Sequence, residues 1–168
     1  LNDRVEFAKK KGADLFISIH ADASKKDNVR GFSVYTLSEK KMDKEAEKVA
    51  NLENKGSVFS RKGLIGINLT QSRNIIEDWQ IKKAFKRANR SSFEFANILV
   101  NNVKKKSKLL NRPHRYAGFA VLKSPNYPSV LVELGFITNN KDRNNLKSKN
   151  WQSILANKFV DAINENYK

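Results

Sequence analysis

Two short apolar runs constrain this chain most. One lies within Ala13-Asp14-Leu15-Phe16-Ile17-Ser18-Ile19-His20-Ala21-Asp22, the other within Pro128-Ser129-Val130-Leu131-Val132-Glu133-Leu134-Gly135-Phe136. Both are short, rich in branched side chains and bounded by turn residues, so residues 15–19 and 129–132 are predicted to be buried strands rather than helices. Most of the sequence between them is patterned for helices. Strands separated by long helical crossovers imply a sheet that is parallel at least in part, with its faces covered. The fold class expected is therefore α/β, with a mixed, mostly parallel sheet flanked by helices.

The remaining elements follow from local pattern. Residues 3–11 read as the tail of a helix that Gly12 ends. Residues 31–36 alternate apolar and polar side chains, the mark of a half-exposed strand. Residues 38–54 are a charged helix, residues 55–70 a glycine-bearing loop, and residues 74–87 and 91–106 two further helices. Residues 110–116 are expected to be a loop because they contain Pro113, and residues 118–122 a short strand. Thr138 to Asp142 offer helix caps, and Trp151, Ile154, Leu155, Phe159 and Ile163 mark an amphipathic C-terminal helix.

Composition narrows the function classes. At 168 residues, with 39% apolar and 30% charged side chains, the sequence suits one globular domain with a real core. No apolar stretch approaches the roughly 18 residues needed to span a bilayer. Zero cysteines excludes disulfides and thiolate metal sites, so any metal must be held by His, Asp, Glu and water. The net charge of +16 favours anionic partners. Nucleic acid is one such partner, supported by Lys82-Lys83, Lys86-Arg87 and Arg90. The chain, however, carries no helix-turn-helix, zinc-knuckle or stacking-aromatic signature, which argues against it.

Two side chains stand where chemistry is expected in an open α/β sheet, at strand ends. His20 follows the first buried strand and is a candidate metal ligand. Glu133 follows Val130-Leu131-Val132 in apolar surroundings. Burying such a carboxylate is costly unless it has a cationic partner, a metal-bound water, or a raised pKa suited to general acid/base work. Together the pair suggests metal-assisted hydrolysis. The spacing holds no compact zinc motif, so residue pattern alone leaves the site incomplete. The other histidine, His114, is expected to be a solvated loop residue.

Several of these motifs, taken together, resemble the zinc-dependent N-acetylmuramoyl-L-alanine amidases of the cell-separation type. They are the run from Arg4 and Ala8 through Ala13 to Ala23, the segment Gly31-Phe32-Ser33-Val34-Tyr35, the run Ala117 to Pro125, and the run Pro128 to Asn139. Order and approximate spacing match over essentially the whole chain. The resemblance implies a periplasmic or otherwise extracytoplasmic hydrolase that acts in cell division. Its substrate would be peptidoglycan, cut at the amide between N-acetylmuramic acid and L-alanine, with Zn2+ as cofactor. By position, His20 matches a zinc ligand and Glu133 the catalytic glutamate.

The family's N-terminal Asp-Pro-Gly-His-Gly-Gly motif and its further glutamate ligand have no counterpart in this sequence. The chain therefore reads as the C-terminal two-thirds of a catalytic domain, with the first strand or strands of the family fold missing. Residues 40–106 match the place where division-associated members carry a helical insert that blocks the zinc site until an activator protein displaces it. Glu77 and Asp78 are candidates for the blocking residue. Two readings stay open at this stage: a peptidoglycan amidase, and a non-catalytic remnant that binds cell wall or activator.

Overall fold

A computed structural model of the chain describes residues 2–37, 43–54 and 75–168. In chain order its elements are α1 (Asn2–Lys10), β1 (Phe16–Asp22), β2 (Phe32–Thr36), α2 (Lys44–Glu53), α3 (Ile75–Val103), β3 (Leu109–Tyr116), a 3-10 turn (Ala120–Leu122), β4 (Ser129–Phe136), α4 (Asn140–Lys147) and α5 (Lys149–Asn166). The expected loop at 55–70 lies outside the described residues.

The four strands form one sheet in the order β1-β4-β2-β3. Phe16 N–H donates to Pro128 O at the start of β1, and Ile137 N–H to Asp22 O at its end, so β1 and β4 run parallel. Phe32 N–H to Lys108 O and Ala117 N–H to Thr36 O make β2 and β3 parallel by the same argument. Only β2 and β4 are antiparallel, with Ser33 opposite Glu133, Val34 opposite Val132 and Tyr35 opposite Leu131. The mixed, mostly parallel sheet is as expected from the sequence.

Several local expectations are revised. Both buried strands extend past the apolar run, so His20 and Glu133 lie within β1 and β4 rather than after them. Residues 110–116 are strand, not loop. Proline removes one ladder donor, and β3 lies at the edge of the sheet, where that loss is tolerated. Residues 120–122 form a 3-10 turn, not a strand. The two helices expected at 74–87 and 91–106 are one, because no glycine or proline interrupts residues 75–103. The strand predicted to be half-exposed, β2, is buried at every position, because it sits inside the sheet between β4 and β3.

The helix ends follow their caps. Gly12, at φ 62°, ends α1 in the left-handed region, and its N–H donates to Lys9 O. Asn139 Oδ1 accepts from the Lys141 and Asp142 N–H groups and starts α4, and Ser148 Oγ accepts from Trp151 N–H and starts α5.

The chain divides into two compact units. The first is made of residues 1–18, 36–92 and 116–130. Here α2 buries Ala46 and Ala50, and the first half of α3 buries Phe85 and Ala88. Asn54, just past α2, donates to Gly118 O and accepts from Ala120 N–H, while Glu47 accepts from Gly118 N–H. These bonds satisfy backbone groups of a buried loop that follows β3.

The second unit is made of residues 19–35, 93–115 and 131–168. Its core holds Phe32, Val34, Val132, Phe95, Ala96, Leu99 and Val103. Phe32 meets Phe159 of α5 edge-on, with ring centroids 6.3 Å apart. His114 Nδ1 lies 3.0 Å from Asn97 Oδ1 of α3. Strand side chains alternate between faces, so both helices cover the face bearing Phe32, Val34 and His114. Ser33, Tyr35, Arg115 and Glu133 belong to the opposite face.

Candidate active site

Glu133 stands on β4, 2% exposed, opposite Ser33 of β2. The apolar run before it builds the central strand, and that strand carries the carboxylate into the interior. Tyr35 lies two residues beyond Ser33, on the same face. Burial pushes the Tyr35 phenol above its ordinary pKa; Ser33 and Arg115 oppose that shift, and the carboxylates of Glu133 and Asp22 add to it. The Arg115 guanidinium lies 5.8 Å from the centre of the Tyr35 ring. The phenol therefore stays protonated and is held between opposite charges.

Asp22 acts on this same group, so the β1 face that carries it also carries His20, two residues earlier. The structure thus places both sequence-predicted site residues on one face of neighbouring strands. It adds Asp22, Ser33, Tyr35 and Arg115, which sequence reasoning did not single out. The signal for Ser33 and Tyr35 was present in the alternation of residues 32–36. Arg115 was hidden by reading its segment as a loop.

His114 does not join this face. It is a half-buried strand residue, packed 5.0 Å from the Phe93 ring, which corrects its expected place in a solvated loop. Glu77 is exposed on α3, and the Asp78 side chain lies outside the described residues.

A zinc ion needs about three protein donors of the His or carboxylate kind. His20 and the nearby carboxylates are of the right chemistry. Among the described residues, however, no group of three or more His, Asp or Glu side chains is close enough to hold a metal. The described residues fit one side of such a site and not a whole one.

Comparison with known proteins decides the family. The N-acetylmuramoyl-L-alanine amidase family model matches residues 1–165. The chain belongs to this family. The N-acetylmuramoyl-L-alanine amidase AmiC of Escherichia coli O6:H1 is 33% identical over 164 residues, covering 97% of this chain and 38% of that protein. The solved amidase AmiC2 of Nostoc punctiforme superposes with a TM-score of 0.63 at 23% identity, over 98% of this chain and 64% of that one. The CwlD amidase of Clostridioides difficile, solved in complex with the GerS lipoprotein, gives a TM-score of 0.59 at 20% identity, over 99% and 61%. The chain thus spans less than two thirds of each of these relatives. The two structures share its fold.

Within the amidase fold the polar face gains a consistent reading. Glu133 is a buried carboxylate that bears on a protonated phenol, and a guanidinium stands 5.8 Å from the ring of that phenol. A group so placed can exchange a proton with a reactant while charged neighbours balance the change.

Proposed function

We propose that this amidase chain carries the proton-transferring part of a site that hydrolyses the amide between N-acetylmuramic acid and L-alanine of peptidoglycan. The observation that carries the reading is the burial of Glu133 on the face it shares with His20. Glu133 would take a proton from the attacking water and return it to the leaving amine, which breaks the C–N bond. Tyr35 and Arg115 would bear on the charge that develops beside it. Zinc is the proposed cofactor, with His20 as one ligand; when bound, it polarises a carbonyl and acidifies water. Peptidoglycan as substrate places the proposed site of action outside the cytoplasm, which cell fractionation tests: a purely cytoplasmic pool would refute it.

The deciding experiment measures bound zinc and release of stem peptide from purified sacculi. Glu133→Gln is expected to lower release at least about 100-fold with zinc retained, and His20→Ala to lose zinc. Full release by Glu133→Gln would sink the reading. A second reading, wall or activator binding without cleavage, is favoured by the single imidazole on this face; it predicts neither zinc nor release.

We also propose that a division-associated activator regulates the site through the insert at 40–106, a reading supported by the CwlD–GerS complex. Replacing Glu77 and Asp78 by Ala is then expected to raise basal release. Unchanged release would count against an inhibitory role for them.

A further inference from the structure

The first half of α3 presents an exposed face that the hydrolytic reading does not use. Trp79, Lys83, Lys86 and Arg90 follow one another at helical spacing and line one stripe, flanked by Lys82 and Arg87. All of these side chains are exposed. Trp79 is 60% exposed, with the Lys83 ammonium 4.8 Å from its ring centre. At 1.5 Å per residue the stripe from Trp79 to Arg90 is about 16 Å long.

This face lacks the charge pattern of an ordinary solvated helix. No carboxylate occurs between Asp78 and Glu94. The pairs Lys82/Lys86, Lys83/Arg87 and Lys86/Arg90 stand one turn apart, where like charges destabilise a helix. The opposite side of the same segment is fixed in the core by Phe85 and Ala88. The helix thus holds Lys83, Lys86 and Arg87, with no carboxylate one turn away from them along the sequence, and a large aromatic ring towards solvent.

We propose that this stripe binds the polymeric substrate, a glycan strand bearing carboxylate-rich peptides, and so holds the enzyme on the wall. The inference rests on the amidase reading above for the choice of polymer. The indole face suits stacking on a sugar ring, and the cations suit the peptide carboxylates. A bilayer surface fits less well. Membrane-lying helices insert a row of apolar side chains, and Trp79 is the only apolar residue among those that form the stripe.

The test is co-sedimentation of the purified chain with insoluble sacculi at increasing salt. Lys83→Gln/Lys86→Gln/Arg90→Gln is expected to weaken binding about tenfold, and Trp79→Ala several-fold. A control, Lys104→Gln/Lys105→Gln/Lys106→Gln, removes equal charge from another exposed segment and is expected to bind within about twofold of the parent. Circular dichroism checks folding. Should the stripe triple variant not fold, Trp79→Ala and Lys86→Gln carry the test, each expected to weaken binding at least about twofold.

Undiminished binding by the stripe variants, or equal loss in the control, overturns the inference. So does stripe-dependent binding that is tighter to phosphatidylglycerol–phosphatidylcholine vesicles, or to a short DNA duplex, than to sacculi. Glu133→Gln separates the two claims. Its retention on sacculi, lost when the stripe is also changed, supports the stripe even where no stem peptide is released. Release that persists with no stripe-dependent binding overturns the stripe and leaves the activity standing.

Discussion

Strands β4 and β1 are neighbours, run parallel, and each delivers one residue to the same face. They differ in what surrounds them. β4 lies inside the sheet and all but one of its residues are buried. β1 lies at the edge, where Ile19 is 59% exposed and only Ser18 is buried. The carboxylate proposed to move a proton therefore sits on the strand packed on both sides within the sheet. The imidazole sits on the strand with more freedom. Precision at Glu133 and accessibility at His20 come from strand order rather than from the two residues themselves.

The sharpest way to break this contrast is to release the far end of β4. Asp142 of α4 is 4% exposed and accepts from Gly31 N–H at 2.7 Å and Phe136 N–H at 3.1 Å, while Arg30 Nε stands 3.2 Å away. One carboxylate thus joins the end of β4 to the start of β2. The chain is drawn in closely there: a Cβ on Gly31, at φ 121°, would lie 2.7 Å from the Leu109 carbonyl carbon. Asp142→Ala strands two buried donors beside a cation and is expected to cost about 3 kcal/mol in urea unfolding. A loss below about 1 kcal/mol would show that this end of β4 is held by other contacts.

A matched pair of truncations measures the contrast along the strands themselves. Val132→Ala empties space at a fully buried position of β4 and is expected to cost about 2 kcal/mol. Ile19→Ala removes a larger side chain from β1, yet it is expected to cost under about 0.5 kcal/mol because water already reaches it. Equal costs would mean that β1 is as constrained as β4 and that the edge reading is wrong.

The same contrast explains what was legible in the sequence. Val130-Leu131-Val132 announced β4 because a strand buried on both faces must be continuously apolar, and Glu133 stood out against that run. The parallel pairing followed from the length of the crossovers. β3 was not legible: Pro113, Arg112 and Arg115 mark a loop unless the strand is known to lie at an edge, and edge position is a property of the whole sheet. Misreading β3 concealed Arg115 and, with it, the charge balance around Tyr35. Ser33 and Tyr35 were visible only as alternation, because a polar residue facing a buried polar site and one facing water give the same pattern. The candidate site was therefore readable where a residue breaks an apolar run, as Glu133 and His20 do. It was unreadable where polar residues serve one another.

The second edge strand, β3, tests how far edge position alone decides exposure. His114 stands on it, yet its ring is part-buried, 5.0 Å from Phe93 and hydrogen-bonding distance from Asn97 on α3. Burial lowers its pKa from 6.5 to about 4. The folded state thus favours the neutral ring more than the unfolded state does. The sign follows: this contribution is complete above about pH 6.5 and is lost as the pH falls from there towards 4, where the unfolded chain takes up the proton first. His114→Gln keeps a hydrogen-bonding side chain but cannot ionise. Between pH 7 and pH 4.5 it is expected to lose about 1 kcal/mol less stability than the parent, a figure kept small because the ring is only part-buried. Parallel stability curves for the two proteins would mean that α3 leaves β3 as open as β1, and exposure would then follow from edge position alone.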